Sequence, residues 1–175
     1  MATDLMNQLA DREAIRECLY LYCRGIDRQD EAALRASYWP DATDRHGPYQ
    51  GPATGFIDWA LTALKKSERS VHMVSNISIT LKGAQAAVES YFFALQRMPD
   101  AQGQQAETML AGRYVDLFEK RGTEWRVKER TVVYDWKADW GVPDGSEAER
   151  FGVRVPQGQT KPNDPFYALL ARLGL

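Results

Sequence analysis

The hydrophobic pattern changes its period part-way along the chain, and this change limits the folds that are possible. Over residues 5–26, apolar side chains recur mostly every three or four positions with charged residues between them, which is typical of an amphipathic helix. From Val71 to Leu81 the odd positions are apolar, apart from Ser75, which is the alternation of a strand. The chain is therefore predicted to begin with helices and to continue with strands.

Two further helices are predicted before the first strand. Asp30 can cap a helix over residues 31–39, which Pro40 ends. A third helix is predicted over residues 54–66, with Thr54 as its cap. The segment 46–52 between these helices is rich in glycine and proline and is predicted to be a loop, with its histidine exposed to solvent.

Four strands are predicted after the helices, over residues 71–81, 86–97, 108–120 and 124–136. Residues 137–164 are predicted to be irregular, and a last helix over 166–173 begins after Asp164 as its N-cap. Helices followed by a meander of strands indicate an α+β fold, with one curved, mostly antiparallel sheet wrapped round the N-terminal helices. We expect a single domain over 1–175, with 137–175 as an irregular C-terminal extension.

Composition excludes several classes of protein. The chain has 175 residues with a net charge of −2, so it lacks the basic surface of a nucleic-acid-binding protein. No apolar run is long enough for a membrane span, and no signal peptide is visible. Cys18 and Cys23 are five positions apart on one predicted helix, so we expect two buried thiols in a cytoplasmic protein rather than a disulfide.

The predicted sheet has apolar residues on both faces. The first strand carries them on both sides, and Tyr91, Phe92 and Phe93 do the same on the second. One face is expected to pack against the helices, and the other is expected to be buried by another surface. That surface belongs either to a second copy of the chain, giving a homo-oligomer (a trimer or dimer), or to residues 137–175 of the same chain.

Asp27 and His72 are the candidates for acid–base chemistry. The chain has only two histidines, and a carboxylate bonded to one imidazole nitrogen fixes the tautomer and stabilises the imidazolium. In the alternative, His72 is a structural histidine bonded to a backbone carbonyl, and Asp27 caps the turn before the second helix. Two histidines without a His/carboxylate cluster give no metal ligand set, and we expect no metal and no cofactor.

Several short motifs occur in a fixed order along the chain. They are Ala14-Ile-Arg16, Tyr20-x-Tyr22, Gly25-Ile-Asp27, Trp39-Pro-Asp-Ala42, His72-x-x-Ser-Asn76, Gly112-Arg-Tyr-x-Asp116, Trp125-Arg-Val-x-x-Arg130, Tyr134-Asp-Trp136 and Asp164-Pro-x-Tyr167. This order resembles the nuclear transport factor 2-like superfamily, in particular its SnoaL-like branch. The resemblance implies a cone-shaped fold with a deep apolar pocket at its mouth.

Within this branch the chain is similar to cofactor-free dehydratases and dehydrochlorinases, such as scytalone dehydratase, bile-acid 7α-dehydratase and hexachlorocyclohexane dehydrochlorinase. Those enzymes use a His–Asp dyad, and Asp27 and His72 match its positions. The resemblance implies a catalytic tyrosine at Tyr22, for which core packing is the alternative. It also implies a pocket arginine on the last strand; Arg130 is the best match, and Arg126 and Lys128 share its strand parity. In the alternative, Arg130 forms a salt bridge with Asp116 or Glu129. The extra pocket carboxylate of the bile-acid enzyme has no clear counterpart, which argues against steroid-type substrates.

A further set of residues is expected to line the pocket, although core packing explains the aromatic members equally well. These residues are Tyr38, Trp39, Phe56, Trp59 and Asn76, the last because it shares strand parity with the histidine. The pocket is expected to take a small apolar ligand.

Three functions of different classes remain open. The first is a cofactor-independent lyase or isomerase acting on a small apolar, cyclic substrate. The second is a non-catalytic subunit resembling the β-subunit of an aromatic-ring dioxygenase. The third is a small-molecule-binding protein without turnover, because this superfamily hosts many functions.

Overall fold

Three helices and two short strands precede the four long strands of this protein. The computed structural model describes residues 2–175, which form five helices and six strands. In chain order these are α1 (Ala2–Arg28), α2 (Glu31–Ser37), β1 (Tyr38–His46), β2 (Tyr49–Pro52), α3 (Ala53–Leu64), β3 (Arg69–Lys82), β4 (Gln85–Pro99), β5 (Gln105–Arg121), β6 (Glu124–Gly141), α4 (Glu147–Phe151) and α5 (Pro165–Arg172). None of the helices in residues 2–175 is long and apolar enough to cross a lipid bilayer.

The sheet confirms the predicted α+β fold. Its strand order is β2-β1-β6-β5-β4-β3, and every neighbouring pair is antiparallel except β1 and β6. Bulges interrupt the register of β3 with β4 and of β5 with β6, which bends the strands. The curved, open sheet packs its concave side against α1, whose buried residues are Ile15, Cys18, Leu19, Tyr22, Cys23 and Ile26.

The boundary of α2 differs from the prediction. Asp30 caps the helix as expected, accepting a hydrogen bond from the Ala33 amide at 3.3 Å. The helix ends at Ser37 rather than at residue 39, because a residue before proline is disfavoured in the helical region and Pro40 follows Trp39. The chain is already extended at Tyr38, where β1 begins.

Strands β1 and β2 were missed by the sequence prediction. Most of the segment predicted to be a loop pairs in an antiparallel hairpin, in which Arg45 lies opposite Gln50. His46 ends β1 and is only partly exposed, since its ring stacks on Phe56 at 4.5 Å between centroids. The prediction that this histidine is solvent-exposed was therefore wrong.

A bulge in β3 reverses which side chains face the helices. Asn76 has a φ of 47°, a conformation in which asparagine is tolerated better than most residues, and the register shifts between Ser75 and Ser78. Before the bulge the even positions face the helices, and after it the odd positions do so. Asn76 lies at the switch and is exposed, so the expectation that it shares the orientation of His72 was wrong.

The C-terminal region is more ordered than predicted. β6 continues five residues beyond residue 136, and α4 forms behind a capping box made by Ser146 and Glu149. Asp164 caps α5 as expected, accepting a hydrogen bond from the Phe166 amide at 3.1 Å. The segment is fastened to the α1–α2 turn, where the Lys161 ammonium donates to both carboxylate oxygens of Asp30 at 3.1 Å.

Candidate functional site

Asp27 and His72 form a hydrogen-bonded pair where the end of α1 packs against the start of β3. The Nδ1 atom of His72 lies 2.7 Å from Oδ1 of Asp27, and the backbone amide of His72 donates to Oδ2 at 2.7 Å. Both carboxylate oxygens are therefore bound to one residue, which fixes the orientation of the carboxylate and of the ring. The expected contact is present: His72 bonds a carboxylate rather than a backbone carbonyl, and Asp30 rather than Asp27 caps α2. The catalytic role of the pair stays a prediction.

Ser70 completes this arrangement. Its hydroxyl donates to Oδ1 of Asp27 at 3.1 Å and lies 3.3 Å from Nδ1 of His72. The carboxylate can only accept, so the bond to Asp27 places the ring proton of neutral His72 on Nδ1. The basic lone pair is then on Nε2. Ser70 was not identified from the sequence, although its position two residues before His72 on the same strand face was a usable signal.

Two clefts meet at this pair. We call the first the dyad cleft; it has a volume of about 500 Å³. Its lining residues are Tyr20, Cys23, Arg24, Asp27, Arg28, His72, Met73, Val74, Asp164 and Phe166. The second, the C-terminal cleft of about 590 Å³, reaches Asp27 and Ser70 from the side of α3 and residues 151–160. His72 lines the dyad cleft and does not line the C-terminal cleft.

The thiol in the dyad cleft is not a nucleophile. Burial, together with the negative charge of Asp27, raises the pKa of the Cys23 thiol to about 12. The thiolate is the reactive form of cysteine, so Cys23 contributes a neutral, apolar wall. Cys18 and Cys23 are both buried and free, in agreement with the sequence prediction.

Tyr22 and Arg130 lie together in the core, away from the two clefts. The Arg130 side chain is fully buried and forms a bidentate ion pair with Asp116, at 2.8 and 2.7 Å. Its guanidinium carbon lies 4.2 Å from the ring centroids of both Tyr22 and Tyr114. Burial raises the pKa of the Tyr22 hydroxyl far above its usual value, so it stays protonated. The structure contains the ion pair of Arg130 with Asp116, which was the alternative assignment. Catalytic roles for Tyr22 and Arg130 stay predictions.

A second buried carboxylate extends this core network. The Tyr38 hydroxyl donates to Oδ2 of Asp44 at 2.6 Å and accepts from Arg130 at 3.3 Å. Oδ1 of Asp44 is buried without a hydrogen-bond partner among the described residues, and Nδ1 of His46 lies 3.5 Å from it. This cluster was not predicted, because Asp44 lies in strand β1, which the hydrophobic pattern did not indicate.

The other predicted pocket residues do not border the clefts beside His72. Tyr38 and Phe56 are packed in the core, with 2% and 1% of their surface exposed. Trp39 is buried under the guanidinium groups of Arg121 and Arg126. Trp59 is partly exposed and stacks on a neighbouring tyrosine ring. Tyr38, Phe56 and Trp39 are therefore packed in the core, which was the alternative assignment. A role in ligand binding stays a prediction for these three residues and for Trp59.

Comparison with known proteins identifies the family. The SnoaL-like domain matches residues 7–131, which is most of the chain. The protein belongs to the SnoaL-like domain family. This SnoaL-like protein matches no curated protein in sequence.

Solved structures with the same fold include three proteins described by their likeness to enzymes or as enzymes. A candidate scytalone dehydratase from Novosphingobium aromaticivorans is 20% identical with a TM-score of 0.70, covering 81% of this chain and 98% of its own. A type 2 hexachlorocyclohexane dehydrochlorinase (LinA) is 19% identical with a TM-score of 0.71, covering 81% and 99%. A candidate aromatic ring hydroxylase, also from N. aromaticivorans, is 17% identical with a TM-score of 0.67, covering 75% and 94%. At these identities the likeness establishes the cone fold of the nuclear transport factor 2-like superfamily.

Proposed function

We propose that this protein is a cofactor-independent lyase or isomerase in which His72 is the general base and Asp27 orients it. The observation that carries the proposal is the pair of hydrogen bonds from the ring and amide of His72 to Asp27, which leaves Nε2 as the free ring nitrogen of a residue that lines the dyad cleft. The dehydratase and dehydrochlorinase among the structures of the same fold support the same reaction class. The apolar walls of the cleft, such as Val74 and Phe166, suit a small apolar substrate.

The reaction would be an elimination or a double-bond shift. Nε2 takes a proton from a substrate carbon, and the electron pair of that C–H bond forms a carbon–carbon double bond. In an elimination, the leaving group departs from the adjacent carbon with its own bonding pair. In a double-bond shift, the electron pair of the existing double bond moves to its far carbon, which takes the proton back from Nε2–H. Asp27 stabilises the imidazolium that forms, because its oxygen already accepts the Nδ1–H bond. A positioned base of this kind contributes roughly a hundred- to ten-thousand-fold in rate.

The test is an assay of His72→Ala and Asp27→Asn with scytalone and hexachlorocyclohexane as first substrates and small cyclic alcohols and halides as a wider panel. We expect kcat/KM to fall by roughly a hundredfold or more in His72→Ala. The matched controls are His46→Ala and Asp58→Asn, since both replace the same residue types away from the dyad cleft. Activity in both dyad variants equal to the wild type would contradict the proposal, and so would ligand binding without turnover in the wild type.

We further propose that the convex face of the sheet binds a second copy of the chain. A row of partly exposed apolar side chains crosses β3 and β4, where Val71 lies opposite Leu95 and Met73 lies opposite Phe93. An apolar patch of this kind is typical of a protein–protein interface. Arg113, which pairs with Glu89 at 3.0 Å, lies beside this patch. Because positive and negative side chains both lie beside the patch, a second copy of the chain can place opposite charges against them.

A further inference from the structure

Arg24 carries a positive charge in the dyad cleft and forms no ion pair with any of the described residues. It lies on α1 and lines the cleft together with His72. Its Nε atom is buried and has no hydrogen-bond partner within the described part of the chain. The guanidinium carbon lies 5.0 Å from the centroid of the Phe166 ring, so the side chain is held across the cleft by an aromatic face. An unpaired buried N–H is costly unless a ligand or water fills it.

The other charges of the cleft are already paired. Arg28 lies 3.4 Å from Asp164, and that carboxylate also accepts the amides of Gln159 and Phe166. Asp27 is saturated by the ring and amide of His72 and by a serine hydroxyl. Arg24 is therefore the remaining charge that a bound molecule could complement. The two Nη groups of a guanidinium offer two parallel N–H donors, which match the two oxygens of a carboxylate.

The position of Arg24 relative to the base fits a single small molecule. Arg24 precedes Asp27 by three residues on the same helix, which is about 4.5 Å along the helix axis. Val74 on β3 and Phe166 on α5 provide apolar surface in the same cleft. From this arrangement we infer that the dyad cleft binds an apolar molecule bearing a carboxylate, with Arg24 as the residue that holds the carboxylate. The inference rests on the proposed function in one respect: if His72 is the general base, the bound molecule is its substrate.

The test compares 2-naphthoate with 2-naphthamide, in which a neutral amide of the same shape replaces the carboxylate, by isothermal titration calorimetry. We expect the wild-type protein to bind the carboxylate about tenfold more tightly or better, which corresponds to about 1.4 kcal/mol. Arg24→Gln is expected to abolish this preference, and Arg24→Lys to keep part of it, because lysine retains the charge but not the planar pair of donors. The matched control is Arg16→Gln, on the same helix but paired with Glu13 at 3.1 Å and outside the cleft; it should bind as the wild type does.

Equal binding of the two probes, or no binding of the naphthoate at millimolar concentration, would overturn the inference. An unchanged preference in Arg24→Gln would also overturn it, most clearly if Arg28→Gln loses the preference instead. The binding assay is independent of catalysis, so His72→Ala should keep the carboxylate preference. A protein that prefers the carboxylate but turns over no substrate would contradict the proposed function alone.

Discussion

At the residue scale, the carboxylate of Asp27 organises the candidate site. It accepts hydrogen bonds from the ring and amide of His72 and from the hydroxyl of Ser70. Each bond restricts the rotation of the carboxylate, and the carboxylate in turn fixes the tautomer of the imidazole. Ser70 lines the C-terminal cleft rather than the dyad cleft, so its effect on the proposed base His72 would pass through Asp27 and not through a ligand bound beside His72.

Replacing Ser70 with alanine should therefore lower kcat and leave KM unchanged. A hydrogen bond contributes about 1 kcal/mol net, so we expect kcat to fall by about two- to tenfold. The measurement is steady-state kinetics on the substrate identified with the wild-type enzyme. Ser78→Ala, an exposed serine on the same strand, serves as the control. A fall as large as that in His72→Ala would mean that Ser70 has a direct part in the chemistry.

The sequence identifies residues at this scale unevenly. The contact of Asp27 with His72 was predictable, because a helix followed by a strand meander places the end of α1 against the first long strand. The sequence left two assignments open for Arg130, because an arginine at an inward-facing strand position can either line a pocket or form a buried ion pair. Only the distance to Asp116, 14 residues earlier on the neighbouring strand, decides between them.

At the element scale, long elements with a clear period were predictable and short ones were not. α1 and β3 to β6 carry enough repeats for the pattern to emerge. β1 holds a proline and four charged or ionisable residues in nine positions, which hides the alternation, and it is ordered by parallel pairing with the distant β6. The bulge at Asn76 also cannot be read from alternation, because it changes the parity within one strand.

The fastening of the C-terminal segment to α2 gives a prediction about pH. Burial alone would raise the pKa of Asp30, but hydrogen bonds from Lys161, the Ala33 amide and the Tyr167 hydroxyl outweigh it and lower the pKa below its usual value. A carboxyl group with a lowered pKa in the folded state stabilises the protein above its unfolded pKa of about 3.9. This contribution is lost as the pH falls through the lower, folded-state pKa.

Asp30→Asn should thus reduce the free energy of unfolding at neutral pH by about 1 kcal/mol or less, since Lys161 is partly exposed. Asparagine retains the capping oxygen, so the change isolates the charge. The difference from the wild type should shrink as the pH falls below about 4. Urea unfolding at a series of pH values measures it, with the exposed Asp144→Asn as the control. A difference that is constant with pH would show that the charge of Asp30 is not involved.

At the scale of the whole molecule, the two faces of the sheet are covered differently. The concave side is filled by α1 and the aromatic residues around Arg130, which form one continuous core. The C-terminal segment, the alternative cover for the convex face, is instead fastened at the α1–α2 turn through Lys161 and near the start of β3 through Glu147, which pairs with Arg69. Met73 and Phe93 on the convex face stay about half exposed, at 54% and 48%. The sequence predicted that this face needs a partner but left the choice of partner open.

Phe93 is the residue with which to test self-association. It lies opposite Met73 on β3 and Ala111 on β5, in the middle of the exposed row. In sedimentation velocity experiments we expect the wild type to form an oligomer at micromolar concentration. Phe93→Glu should sediment as a monomer, because a buried carboxylate without a partner is strongly unfavourable. Thr62→Glu introduces the same charge on the exposed side of α3 and should leave the oligomer intact. A monomeric wild type, or an unchanged mass for Phe93→Glu, would place the partner of this face elsewhere.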